Sequence, residues 1–172
     1  MLNKEKHQKE LRWGCGDGTR YEKEINHISA RASNALDYGC GKGKLKINNV
    51  SDVFRYDPCN PEFQERPPTG AEYDVIFCVD VLEHVEPEYV NNVLKDIDNF
   101  LKKEVLFVVS TRPALHTLAD GSNAHRTIKS IDWWNNKLKE HFANVNRIIV
   151  SRSKPDECVF IATKKIESTF NI

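Results

Sequence analysis

The amino-acid sequence predicts an α/β protein with a doubly wound, mostly parallel sheet of about six strands that ends in an antiparallel hairpin. Three observations lead to this prediction. Short runs rich in Val, Ile and Phe alternate with segments of helical periodicity. The two central runs, 73–80 and 104–110, are almost continuously apolar, which is typical of strands covered by helices on both faces. The last two runs are only about six residues apart, which is too short for a parallel crossover.

Six segments are predicted as strands because each is short and rich in β-branched or aromatic residues: 34–39, 52–57, 73–80, 104–110, 144–151 and 158–164. The stretch between Asp57 and Asp74 contains four prolines and no strand-like run. We therefore expect a strand to be missing or reduced there.

Two helices are predicted from apolar residues at helical spacing. One follows Pro87, a residue favoured in a first helical turn, and carries the stripe Val90, Val93, Leu94, Ile97 and Leu101. The other is expected to begin after Ser130, whose hydroxyl suits an N-cap, and carries Ile131, Trp134, Leu138 and Phe142.

Composition favours a single domain of 172 residues, with an N-terminal helical segment (1–33), a core (34–164) and a tail (165–172). Lys plus Arg equals Asp plus Glu at 25 each, which argues against a large nucleic-acid footprint. The five cysteines form no CxxC pair, so neither a disulfide framework nor a cysteine-based zinc site is expected. No apolar run is long enough to span a membrane, and the charged N-terminal sequence predicts a cytoplasmic location.

Two similar glycine clusters occur, "WGCGDGTR" at 13–20 and "LDYGCGKGK" at 36–44. Only the second follows a predicted strand, as ligand-binding glycine loops do, and it leads into a short helix or turn. We therefore expect the second cluster to be the principal ligand loop. The first is interpreted as a turn between helices that can fold over the ligand.

Two acids define the expected ligand. Asp57 ends the strand that follows the loop, where a carboxylate can accept hydrogen bonds from both hydroxyls of a ribose. Asp37 precedes the first glycine of the loop, where it would repel a pyrophosphate but suits an ammonium group.

The pattern Asp37-x-Gly39-x-Gly41-x-Gly43, together with Asp57 and "YDVIFCVDVLEHV" at 73–85, resembles the Rossmann-like (class I) S-adenosylmethionine (SAM)-dependent methyltransferases. The likeness is to a small bacterial or phage type with a shortened third-strand region. It covers residues 35–85 by motif and extends to about residue 164 by strand order. The resemblance implies SAM as cofactor, S-adenosylhomocysteine as product, and these cofactor-binding residues: Asp37, Gly39, Cys40, Gly41, Gly43, Asp57, Pro58, Asp80 and Val81.

The "LEH" sequence at 82–84 lies beside the donor methyl group in the proteins that this chain resembles. We therefore expect His84 to be catalytic, since a histidine there can act as a general base. The alternative is that Glu83 and His84 only stabilise the turn and the start of the next helix.

The segment 110–130, "STRPALHTLADGSNAHRTIKS", is longer than a simple connection and rich in polar side chains. It resembles "PDGxNxH" segments of small bacterial and phage methyltransferase-like proteins. We expect residues 111–129 to form a flap in which His125 orients the acceptor or takes its proton, and in which Asp120 and Asn123 shape the turn. Arg112, His116, Asn123 and Arg126 are the predicted substrate-binding residues. The alternative is an ordinary solvated loop.

These features predict a SAM-dependent methyltransferase that acts on an O, N or C atom of a small or medium-sized acceptor. A nucleic-acid or protein methyltransferase and a non-catalytic SAM-binding module remain alternatives. No metal site is predicted: His84, His116, Asp120 and His125 are suitable ligand types, but they form no short pair such as HxH. Cys59 follows the second strand and is interpreted as a bystander. No membrane partner is expected, and the sequence indicates no oligomeric state.

Overall fold

The computed structural model describes Gly16 and residues 18–165, and its centre is one six-stranded sheet. The strands are β1 (Asn34–Tyr38), β2 (Asp52–Tyr56), β3 (Tyr73–Val79), β4 (Leu101–Ser110), β5 (Ala143–Ile148) and β6 (Glu157–Thr163). Their order in the sheet is β2-β1-β3-β4-β6-β5. The first four strands pair in parallel, and β6 pairs antiparallel with both β4 and β5. The predicted fold class is confirmed, including the antiparallel hairpin.

Strand β3 shows why the central runs are apolar throughout. Ile76 and Cys78 point to one face of the sheet and belong to one buried cluster, whereas Val75 and Phe77 point to the other face and belong to a second cluster. Because both faces are covered, no position of the strand from Tyr73 to Cys78 is left for a solvent-facing side chain.

Among the described residues, three helices cover the sheet: α1 (Glu22–Ser29), α2 (Val90–Phe100) and α3 (Ile131–His141). The apolar residues of α2 and α3 pack on one face, and those of α1 pack on the other. Ser130 caps α3 as predicted, because its Oγ accepts a hydrogen bond from the Trp133 backbone N–H at 3.2 Å. No helix within the described part of the chain is long and apolar enough to cross a membrane.

The end of α2 differs from the prediction. Leu101 was expected on the helical stripe, but it is the first residue of β4 and pairs with Tyr73 of β3. Phe100 instead supplies the last buried side chain of the helix. The strand therefore begins three residues earlier than the apolar run indicated, because pairing with β3 extends it through Lys102 and Lys103.

Two stretches outside the sheet bear on the site. Residues 44–50, after the second glycine cluster, form turns rather than a helix, and Leu45, Ile47 and Val50 pack into the cluster that contains α1. Residues 57–72 contain no strand, as predicted, so β2 is an edge of the sheet. The helical segment expected at 1–33 is helical over 19–29, and its residues 1–15 and Asp17, like the tail beyond 165, lie outside the described residues.

Candidate active site

The loops after β1 and β3 meet at the point where the strand order reverses, which is where open α/β sheets bind ligands. Gly39 has a left-handed φ of 76°. A Cβ added to it would lie 2.5 Å from Cγ2 of Val81, so only glycine allows the two loops to approach this closely. The second glycine cluster and the start of the "LEH" turn therefore form one surface.

The backbone N–H groups of the loop 39–43 are used within the protein. Gly39 and Cys40 both donate to the Tyr56 carbonyl, at 2.7 and 3.1 Å, and Gly41 donates to Oδ2 of Asp57 at 2.8 Å. Gly43 donates to the Cys40 carbonyl at 2.8 Å. A phosphate-binding loop needs such donors to point at its ligand. This loop is therefore unsuited to a pyrophosphate, in agreement with the charge of Asp37.

Asp37 is a buried acid with an unused acceptor atom. Its side chain is 3% exposed, and its Oδ2 has no hydrogen-bond partner among the described residues. Burial raises the pKa of Asp37 to about 7, although Arg55 on the neighbouring strand opposes the shift. A buried carboxylate is stabilised by a cation. The site thus fits a ligand that brings an ammonium group, as SAM does.

Asp57 follows β2 and is also buried. In addition to the bond from Gly41, its Oδ1 accepts a hydrogen bond from the Cys59 backbone at 2.8 Å. Asn60 donates to the Gly41 carbonyl at 2.6 Å and fixes the loop from the same side. A carboxylate offers about four acceptor positions. Asp57 can therefore hold the loop and still accept from ribose hydroxyls.

Three further predicted cofactor residues, Cys40, Pro58 and Asp80, differ in burial and in backbone conformation. The Cys40 thiol is buried, and burial raises its pKa, so the thiol stays neutral. Pro58 is exposed beside Asp57. Asp80 has a left-handed φ of 54°, a strained conformation for a non-glycine residue that is common at functional sites.

Asp80 also belongs to a charged network that sequence reasoning missed. Nη2 of Arg20 lies 3.8 Å from Oδ2 of Asp80 and 2.9 Å from Oε1 of Glu157. The Tyr21 hydroxyl donates to Oε2 of Glu157 at 2.5 Å. Arg20 ends the first glycine cluster, so this end of the cluster lies on the same side of the sheet as Asp80, whereas residues 13–15 and Asp17 of the cluster are outside the described residues. The "TR" sequence at 19–20 shows that a charged side chain ends this cluster, but no local pattern identifies Glu157 as the partner of Arg20.

Glu83 connects three parts of the site. It lies in the short 3₁₀ turn Leu82–His84, its side chain is 1% exposed, and its Oε1 accepts from the Ser110 backbone at the end of β4 at 3.0 Å. Its carbonyl accepts from the backbones of Arg126 and Thr127 at 2.6 and 3.0 Å. Glu83 therefore fixes the "LEH" turn to β4 and to the segment 111–129, which we call the acceptor loop.

The acceptor loop is closed by its own hydrogen bonds. Oδ1 of Asn123 accepts from the backbones of Ala114 and His125, at 3.0 and 2.9 Å, and its Nδ2 donates to the Ala114 carbonyl at 2.9 Å. Asp120 accepts from the Ser122 backbone at 2.9 Å at the exposed tip. The side chain of Asn123 thus braces the loop, as expected for a residue that shapes the turn, and its contact with a substrate stays a prediction.

The loop brings His125 next to His84. The ring centroids are 4.9 Å apart and the ring planes are nearly perpendicular. Nδ1 of His84 lies 2.9 Å from the Ala124 carbonyl, and Nδ1 of His125 lies 2.6 Å from the Arg112 carbonyl. A carbonyl only accepts, so each Nδ1 carries the proton, and in the neutral ring Nε2 carries the lone pair. Burial lowers the pKa of His125, which favours this neutral form.

Three other predicted substrate residues lie around this pair with less definite roles. The Arg112 guanidinium donates to the Pro113 carbonyl and lies 3.9 Å from Asp156, and Arg126 is half-buried. His116 is exposed.

Two cavities differ in their distance from the candidate site. One of about 330 Å³ is lined by Arg20 and neighbouring residues. The other, of about 460 Å³, lies at the opposite end of the sheet, away from the two histidines, among Lys102, Lys103 and Lys164.

Comparison with known proteins agrees with this geometry. Residues 10–148 match the sequence profile of a methyltransferase domain family. No curated protein sequence matches the chain.

Solved structures of methyltransferases share the fold. The N-methyltransferase NodS from Bradyrhizobium japonicum WM9, in complex with S-adenosylhomocysteine, has a TM-score of 0.69 at 14% identity, over 96% of this chain and 100% of that one. The 1,6-didemethyltoxoflavin-N1-methyltransferase of Burkholderia thailandensis has a TM-score of 0.60 at 18% identity, over 87% and 80%. The small RNA methyltransferase HEN1 has a TM-score of 0.64 at 15% identity, over 86% of this chain and 25% of that one.

At these identities the likeness establishes the fold, and the family profile spans most of the chain. The chain belongs to the S-adenosylmethionine-dependent methyltransferases of the Rossmann-like class.

Proposed function

We propose that this enzyme transfers a methyl group from SAM to an O, N or C atom of a small or medium-sized acceptor that lies against the acceptor loop. The observation that carries this proposal is the attachment of that loop to the "LEH" turn. Backbone bonds from Arg126 and Thr127 to Glu83 place the loop beside the surface that the second glycine cluster and Val81 form. Donor and acceptor elements thus share one end of the sheet.

On the donor side, the proposed cofactor contacts are divided between the two acids and the loop. Asp37 would pair with the ammonium group, Asp57 would accept from the ribose hydroxyls, and the loop 39–43 would pack against the methionine portion. Pro58, Asp80 and Val81 complete the proposed set. When bound, SAM supplies an electrophilic methyl group, and the task of these residues is to hold it in one orientation.

On the acceptor side, His84 and His125 are the proposed catalytic residues. Their Nδ1 atoms are held by backbone carbonyls, so the imidazoles are fixed in orientation and Nε2 is the basic atom. Such a group can act on the proton of an acceptor nucleophile. Arg112, His116 and Arg126 would bind anionic or polar parts of the acceptor, and Asn123 would maintain the loop that carries them.

A small-molecule acceptor is supported by the balanced charge of the chain and by neighbours such as the toxoflavin methyltransferase. The likeness to an RNA methyltransferase keeps a nucleic-acid acceptor as the second candidate. Binding to RNA or DNA that weakens steeply with salt would favour that candidate.

We also propose that residues 1–172 form a single methyltransferase domain and that the protein is cytoplasmic.

The test is a paired measurement on two variants. SAM affinity is measured by calorimetry, and release of S-adenosylhomocysteine is measured with pools of candidate acceptors. Asp57→Ala should weaken SAM binding, whereas His125→Ala should retain SAM binding and lose methyl transfer. SAM binding without turnover on any pool would instead indicate a non-catalytic SAM-binding module. Unchanged SAM affinity in Asp57→Ala would refute the proposed donor site.

A further inference from the structure

Three potential metal ligands meet where the acceptor loop contacts the "LEH" turn. One nitrogen of His84, one nitrogen of His125 and one carboxylate oxygen of Glu83 all lie within 4.8 Å of one another. We infer that Glu83, His84 and His125 form a binding site for a divalent transition-metal ion on the acceptor side of the crevice.

The hydrogen bonds behind the two rings support this inference. A metal-binding histidine usually donates its second ring N–H to a carbonyl or carboxylate, which fixes the tautomer and the orientation of the ring. His84 and His125 both do so, through Nδ1 to the carbonyls of Ala124 and Arg112. Both rings are thus in the tautomer that carries its lone pair on Nε2, the form in which an imidazole can bind a cation.

Glu83 provides the second, independent observation. Its side chain is almost completely buried, Oε1 accepts from the Ser110 backbone, and Oε2 has no hydrogen-bond partner among the described residues. A divalent cation would offset the cost of keeping this carboxylate buried.

The ligand set indicates the class of ion. Two imidazoles and one carboxylate suit Zn²⁺, Mn²⁺, Co²⁺ or Fe²⁺ better than Mg²⁺ or Ca²⁺, which prefer oxygen ligands. Three protein ligands leave coordination positions open. If the proposed methyl transfer is correct, an ion held by both Nε2 atoms would polarise the acceptor in place of an imidazole base. The open positions would then bind oxygen atoms of the acceptor, so the inference favours an acceptor with hydroxyl or carboxylate groups.

The sequence alone predicted no metal site, because the candidate residues formed no short ligand pair. The structure selects a different set from the one considered there. His116 is exposed, and Asp120 bonds to Ser122 at the loop tip, whereas Glu83 joins the two histidines.

The test is a titration of the untagged full chain with Co²⁺, followed by visible absorption, with Zn²⁺ and Mn²⁺ as competitors. We expect one ion per chain. His84→Ala and His125→Ala should each weaken binding by at least about 100-fold, more than loss of an outer-shell partner typically does. Glu83→Gln, which can still accept from Ser110, should also weaken it at least about tenfold. His27→Ala, which removes an exposed histidine of α1, is the matched control and should bind normally.

Two outcomes would overturn the inference: no saturable binding by the wild-type chain, or unchanged affinity in folded His125→Ala, with folding checked by thermal melting. If an imidazole instead takes the acceptor proton directly, methyl transfer should survive chelation and Co²⁺ should not bind. That result would remove the metal site and leave the proposed function intact. Asp57→Ala also distinguishes the two proposals, because this variant should lose SAM affinity and keep Co²⁺ binding.

Discussion

The donor loop 39–43 and the acceptor loop 111–129 leave the sheet at the same end but are held in place by different kinds of contact. The donor loop is short, contains three left-handed glycines, and is held by bonds to Tyr56, the last residue of the adjacent strand, and to Asp57, which follows that strand. The acceptor loop is long, is braced internally by Asn123, and is attached to the turn at Glu83.

Under the proposed function, this difference separates the two tasks of the enzyme. The donor side would depend on backbone shape and on two buried acids, whereas the acceptor side would depend on two imidazoles whose position is set by a loop–turn contact. Substitutions on one side should therefore leave the measured property of the other largely unchanged.

The largest effect is expected for His84→Ala. His84 is proposed either to take the acceptor proton or to bind the metal ion. Loss of either role should lower methyl transfer about 10²- to 10⁴-fold. SAM affinity should stay within about twofold of wild type, because Nδ1 of His84 bonds to the Ala124 carbonyl of the acceptor loop. Single-turnover kinetics and calorimetry on the same preparation measure both, with His27→Ala as control. A parallel fall in SAM affinity would show that the two sides are not separable.

Asp57→Ala is the corresponding test on the donor side. It removes the acceptor for Gly41 and Cys59 and the proposed ribose contact, each charge-assisted bond being worth about 1.5–3 kcal/mol. SAM affinity should fall at least about tenfold by calorimetry. Asp52→Ala, an exposed acid at the start of the same strand, is the matched control. Equal affinities in the two variants would exclude Asp57 from the cofactor site.

A smaller, pH-dependent effect is expected from Asp37. Because its pKa is about 7 in the folded protein, below pH 7 a proton competes with the ammonium group. SAM affinity should then fall by up to about tenfold per pH unit. Asp37→Asn should bind weakly at pH 8 and without this pH dependence.

The same substitution has an opposite effect on stability. A raised carboxylate pKa means that the folded state holds the proton more tightly than the unfolded state, so stability is lost as pH rises toward 7. Asp37→Asn should therefore raise the melting temperature of the ligand-free protein most at pH 8 and by less at pH 5, where the carboxyl of the folded protein still holds its proton. A variant less stable at pH 8 would contradict the assignment of a buried, unpaired charge.

The smallest effect is expected for Asp120→Ala. Asp120 is exposed and bonds to Ser122 at the tip of the acceptor loop, away from the Asn123 brace. SAM affinity and methyl transfer should both stay within about twofold of wild type, as for most surface substitutions. A large loss of methyl transfer would extend the acceptor site to the loop tip.

Much of the fold was predictable because burial leaves a local trace. Strands covered on both faces read as continuous apolar runs, and the N-cap at Ser130 and the proline-rich gap after Asp57 are equally local features. The error at Leu101 shows the limit of such patterns. An apolar residue such as Leu101 fits the end of a helical stripe and the start of a strand equally well. Pairing with Tyr73 of β3 decides that Leu101 belongs to the strand.

The role of the second glycine cluster as donor site stays a prediction, but the loop itself was predictable for the same reason, because its glycine spacing is local to one short segment. The contacts of His84 with His125, of Arg20 with Glu157 and of Glu83 with the acceptor loop were not. Each joins segments far apart in the chain, and no periodicity or spacing records which partner a side chain meets. The sequence determined which chemical groups are present, and the tertiary structure alone decided which of them act together, because only folding brings their hydrogen-bonding atoms within reach.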